Sequence, residues 1–184
     1  MWSWGWSRPS PSSEPPTLQF RELDLGRASY WRMTDDYPRS TARIFGHPIH
    51  PMLVPFPIAC FVGTLVTDLV YLRTADILWA DFSDWLVSFG VIATIFVAIA
   101  GAVDFLGDSR IRRLAPAWIH AVGNVVAFIL AIVNAFVHTR DAYGQMPAGL
   151  ILSGLVVLIL LVTGWNGWDM VYRHGVATRP EVQP

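Results

Sequence analysis

The chain has 184 residues, 53% hydrophobic and 15% charged, with a net charge of −1 and a mean hydropathy of +0.42. A soluble domain carries about 25% charged residues, so this composition points to a membrane, and the near-neutral balance gives no electrostatic footprint for nucleic acid. All thirteen basic residues are arginine, which excludes a Schiff-base or P-loop lysine, and the single cysteine, Cys60, excludes a disulfide framework or a Cys-based zinc site.

Residues 1–43 read as a cytoplasmic tail, largely disordered and rich in Pro, Ser and Gly. An alternative is that Trp2, Trp4 and Trp6 dip into the membrane interface, where indole rings are at home. Leu18 to Met33 has scattered apolar residues that suit a short surface helix. No arginine-led apolar segment opens the chain, so no cleavable signal peptide is expected.

Residues 44–175 carry four long apolar runs, predicted as helices over about 54–72, 85–106, 116–138 and 147–172. Each can cross a hydrocarbon core of about 30 Å, and a backbone in lipid must satisfy its polar groups internally, which dictates helices. The short connections favour antiparallel neighbours. The predicted fold is therefore an all-α membrane protein, a four-helix transmembrane up-down bundle, followed by a tail over 176–184. Eleven of the thirteen arginines lie in the N-terminal tail, the Gly107–Ala115 loop and the C-terminal tail; Arg73 and Arg140 stand in the opposite loops. By the positive-inside rule the N and C termini are cytoplasmic, in a multi-pass protein of the bacterial inner (plasma) membrane. Trp79 and Trp85 mark one interface, and Trp118, Trp165 and Trp168 the other.

The stretch GHPIHPMLVPFPIA, residues 46–59, precedes the first run. Pro55 and Pro57 suit the first turn of a helix, whose leading N–H groups have no partners. Residues before proline avoid the α region, so His47 and His50 are predicted to lie on a stiff, extended strap at the mouth of the bundle. His120, early in the third helix, His174, after the fourth, and Asp104, at the end of the second, fall in the same layer. On the third helix His120, Asn124, Ala127, Ala131, Asn134 and His138 form one polar or small stripe, predicted to face the interior. Asp68 reads as a helix-end carboxylate near the opposite interface, paired with Arg73 or His138, in preference to a proton relay.

HPIHPMLVPFPIA, TDL in the first helix, GAVDF closing the second, WIHAVGNVVAF opening the third and GWNGWDMVYRHGV ending the fourth resemble a family of small bacterial inner-membrane proteins, domain of unknown function 2231. The resemblance covers residues 44 to about 177 and implies His47, His50, Asp104, His120 and His174 as marked polar positions. Trp168 and Asp169 stand where that family typically has glycine and glutamate. Relatives fused to cytochrome c-type modules imply redox chemistry.

Three functions follow. The first is haem b bound by His120 with His50 or His174 as second axial ligand, His47 nearby, and Arg113 or Arg173 on the propionates. The second is a bare transition metal on His47, His50, His120, His174 and Asp104. The third is a non-catalytic membrane subunit or scaffold in which these groups cap helices and pair with arginines. The bilayer is the expected partner, with other membrane or redox proteins as candidates and no nucleic acid. No hydrolase, kinase or dehydrogenase signature appears, so electron transfer is the one activity in view.

Overall fold

The computed structural model describes Pro38, residues 40–140 and residues 144–177. Trp2, Trp4, Trp6 and the stretch Leu18 to Met33 lie outside these residues.

A small hairpin opens the described chain. Strands β1 (Arg43–Ile44) and β2 (His47–Pro48) pair antiparallel, with Ile44 opposite His47. Phe45 and Gly46 turn the chain with φ of 49° and 84°, the two positive values that a two-residue primed turn requires and that glycine supplies without steric cost. The helices that follow are α1 (Ile49–Leu53), α2 (Pro55–Thr74), α3 (Ile77–Gly107), α4 (Ser109–Arg112), α5 (Ala115–His138) and α6 (Ala148–Tyr172).

Two elements differ from the sequence expectation. His50 is helical, not extended: Pro48 caps α1, and Pro51 occupies its third position, where a missing N–H costs no intrahelical bond. The bias against helix before a proline is outweighed at this site. Helix α3 begins at Ile77 and not near residue 85, because the Asp76 side chain accepts from the Leu78 N–H at 3.0 Å and caps it. Asp81 and Asp84 therefore lie on helix. Its 31 residues span about 46 Å, longer than the hydrocarbon core, so the first turns can stand in the interface.

The sequential pairs α2–α3 and α5–α6 pack most closely, and α2–α6 and α3–α5 close the ring. Helices α2 and α5 thus face each other across one diagonal, and α3 and α6 across the other. The backbone N–H of Ala177 donates to Pro38 O at 3.1 Å, so both ends of the described chain meet at one end of the bundle, the terminal end.

The exterior is apolar and the interior carries many polar side chains, unlike a water-soluble protein. The interior holds Thr64, Thr67, Asp68, Ser83, Asn134, His138, Ser153 and Thr163 beside an apolar cluster of Phe61, Val87, Ala131 and Val156. The exterior holds Phe96, Ile99, Val122, Ile129, Leu158 and Leu161, all more than half exposed. Such a surface suits lipid, where small residues allow close helix approach and polar groups bond across the interface. Four helical spans, Ile49–Thr74 among them, are long and apolar enough to cross a membrane. The predicted stripe of α5 faces inward, with Ala127, Ala131, Asn134 and His138 fully buried.

Candidate functional site

At the terminal end the two helical hairpins repeat one device. His50 precedes α2, and its Nδ1–H donates to Val97 O of α3 at 3.0 Å while the ring lies on Gly101. His120 of α5 donates from Nδ1 to Thr163 O of α6 at 2.8 Å, its ring on Gly167. In both cases the accepting carbonyl lies four residues before the glycine, 97 before 101 and 163 before 167. The missing Cβ is what lets an imidazole reach a carbonyl already inside a helix. A Cβ at Gly101 would stand 2.8 Å from His50 Cε1. Gly101→Ala is accordingly expected to lower the unfolding temperature in detergent, at a cost of about 1–3 kcal/mol. Gly164→Ala, whose Cβ meets nothing within 4 Å, is the neutral control.

The two rings come together with centres 6.0 Å apart and planes at 79°. A carbonyl oxygen only accepts, so each Nδ1 carries the proton, and in the neutral ring each Nε2 keeps its lone pair. Neither Nε2 has a hydrogen-bond partner among the described residues. A backbone-tethered Nδ1 with a free Nε2 is the usual state of a metal-binding imidazole.

The other candidates are placed otherwise. His47 is exposed on the hairpin. His174 is held by Asp169, with Nδ1 3.3 Å from its backbone oxygen and 3.6 Å from its carboxylate. Arg173 is 72% exposed and pairs with Asp169 at 3.1 Å. Arg113 is exposed after α4. Asp104 ties down the segment before the hairpin: its Oδ1 accepts from the N–H groups of Thr41 and Ala42, both at 2.7 Å, and from Ser40 Oγ at 2.9 Å. Residues 40–43, assigned from sequence to the tail, are thereby fixed on α3, where Gly107 leaves room for Thr41. Asp104→Ala is expected to free them; trypsin cleavage after Arg43 should accelerate roughly tenfold to a hundredfold while the helical signal persists.

The end away from the termini holds a second constellation that the sequence showed only in part. Asp68 and His138 are both completely buried, Oδ1 to Nε2 at 2.9 Å across the α2–α5 diagonal. Ser153 Oγ donates to Asp68 Oδ2 at 2.6 Å and accepts from Asn134 Nδ2 at 2.9 Å. His138 Nδ1 donates to Asn134 O at 2.9 Å. The partner of Asp68 is thus His138 and not Arg73, and the carboxylate lies in the core instead of reaching the interface. Seventy residues separate the pair, a distance no local spacing reveals.

Residues 46–180 match a family described as "Predicted membrane protein (DUF2231)". The chain belongs to this family. No curated protein and no solved structure matches it. The DUF2231 match spans all four helices and both polar layers, and together with the lipid-suited exterior it makes the chain an integral, multi-pass membrane protein.

Proposed function

We propose that His50 and His120 are the axial ligands of a haem b and that this DUF2231 chain is an electron-transfer protein of the bacterial inner membrane. The observation that carries this reading is the repeated device: each hairpin delivers one imidazole with a tethered Nδ1 and an unpartnered Nε2 to the same place. With a metal–nitrogen bond of about 2 Å and roughly 1 Å more to each ring centre, two imidazoles sharing one metal would stand at most about 6 Å apart, and these ring centres are 6.0 Å apart.

Ligand number favours haem over a bare ion. Haem iron brings four nitrogens of its own and asks the protein for two. A structural zinc site takes four protein ligands, and among the described residues no group of three His, Cys, Asp or Glu is placed to hold a metal. When bound, such a haem would pass single electrons, and the chain's own part is to fix both rings and keep lipid on the outer faces. Arg113 and Arg173, at the terminal end, remain the candidates for the propionates. That end also carries Arg43, Arg110 and Arg112, against Arg73 and Arg140 at the other, which supports cytoplasmic termini.

A second reading, a non-catalytic membrane subunit, is favoured by Asp104 and His174, both spent on holding segments of the chain. Titration of the purified protein with haemin separates the readings. The haem reading expects saturation at one equivalent with a sharp Soret band and a reduced α-band. One bound zinc or copper per chain without haem binding would favour the bare-metal site, and neither would leave the subunit.

A further inference from the structure

The buried constellation at the end away from the termini has no part in the haem reading, and its hydrogen bonds define its resting proton count. His138 Nδ1 faces a backbone carbonyl, so it is protonated. The 2.9 Å contact between His138 Nε2 and Asp68 Oδ1 joins two atoms that repel without a proton between them. One proton therefore sits in this contact, on nitrogen as an ion pair or on oxygen as a neutral pair, and the site is neutral overall in either form. The Ser153 hydroxyl points its proton at Asp68 Oδ2, because its oxygen already accepts from Asn134 Nδ2.

The surroundings are unfinished in a way that points to a ligand. Asn134 is 2% exposed, and its Oδ1 has no partner among the described residues. Gln145 is 1% exposed and its Nε2 also has no partner among the described residues; its backbone carbonyl accepts from the N–H of Gly149, the glycine under the His138 ring. A third buried atom, Asp84 Oδ1, has no partner among the described residues, on a carboxylate within electrostatic reach of His138. Two acceptors and one donor left dry near a buried carboxylate are the partners that ordered water takes. Of the packed elements, α2 contributes Asp68, α3 Asp84 and α5 His138; α6 adds only the Ser153 hydroxyl.

We propose that Asp68 and His138 form a reversible proton-binding site, reached by water past Asp84 and Gln145 from the aqueous phase opposite the termini. On acidification a proton taken from water adds at Asp68 Oδ2, the Ser153 hydroxyl turning its own proton away, and the site passes from neutral to singly positive; at higher pH that proton returns to water, with no oxidant or reductant. A buried ionisable pair inside a membrane bundle, on the helices and loop that also carry unpartnered buried polar atoms, is placed as proton relays are.

Infrared difference spectroscopy of the full chain in nanodiscs tests this between mildly acidic and mildly alkaline pH. A protonated-carboxyl band should grow on acidification and shift in D2O. It should vanish in Asp68→Asn and persist in Asp81→Asn, which alters an exposed carboxylate. Should Asp68→Asn not fold, Ser153→Ala keeps the pair, removes one bond to the carboxylate and should displace the midpoint by about one pH unit. A pH-difference spectrum unchanged by Asp68→Asn, a midpoint unmoved by Ser153→Ala, or no pH-dependent carboxyl band at all would overturn the proposal. None of these readouts depends on bound haem.

Discussion

His138→Ala is expected to destabilise the bundle by about 3–5 kcal/mol, since it leaves the Asp68 carboxylate buried and without its partner. Asp68 is 0% exposed, so its side chain cannot turn out to bulk water or to the interface to replace the lost partner. The loss reaches beyond one bond. His138 on α5 and Ser153 on α6 both terminate on Asp68 of α2, so three of the four spans share this junction. The comparison that isolates the pair is Asp68→Leu combined with His138→Leu. With no charge left to bury, the double variant should unfold at milder denaturant than the wild type but be clearly more stable than either single variant, a coupling of several kcal/mol. Unfolding in detergent, followed by the helical signal, checks both. Additive single effects would mean that the two side chains do not act as a unit.

On the haem proposal, His120→Ala and His50→Ala are each expected to abolish the six-coordinate haem spectrum, because each would remove one of the two proposed ligands and the described residues place no third ring beside the pair. His174→Ala should leave the spectrum intact, since Asp169 holds that ring. The contrast separates ligands from neighbours in the same layer. His47→Ala, on an exposed strand, is expected to behave like His174→Ala. All four variants should fold, as judged by size-exclusion elution and helical content, so loss of colour in two of them reads as loss of ligand.

Much of the architecture was legible in the sequence because lipid leaves few choices. Four runs of apolar residues, proline at first turns and a polar stripe on α5 suffice for a bundle and for its inward faces. The α3 start was missed because Asp81 and Asp84 resemble a loop, whereas the cap that starts the helix is Asp76. The form of the HPIHP segment was missed for a related reason. Pro48 and Pro51 each restrict the residue before them, yet both stand where a short helix tolerates proline, so the segment becomes a strand and then a helix.

The candidate site divides along the same line. His50, His120, His174 and Asp104 were assigned to one layer by depth alone, and depth is what a hydropathy pattern reports. Which of them meet is set by rotation about each helix and by partners far away in sequence. Gly101 and Gly167 decide the His50–His120 pairing, and as single glycines in apolar runs they read as plain packing. Asp104 looked like a ligand because a carboxylate near histidines does; its oxygen is spent on two backbone N–H groups of the segment before the hairpin instead. Asp68 looked peripheral because its position along α2 suggests the interface, and its burial follows from His138 and Ser153 on two other helices.

The most direct test of the proposed function is low-temperature electron paramagnetic resonance of the oxidised, haem-loaded wild-type protein. If His50 and His120 held one haem iron, the ferric protein would give a low-spin signal. The account predicts this low-spin signal and its disappearance in both His50→Ala and His120→Ala. A purely high-spin signal in the wild type, or a low-spin signal that survives either substitution, would contradict it.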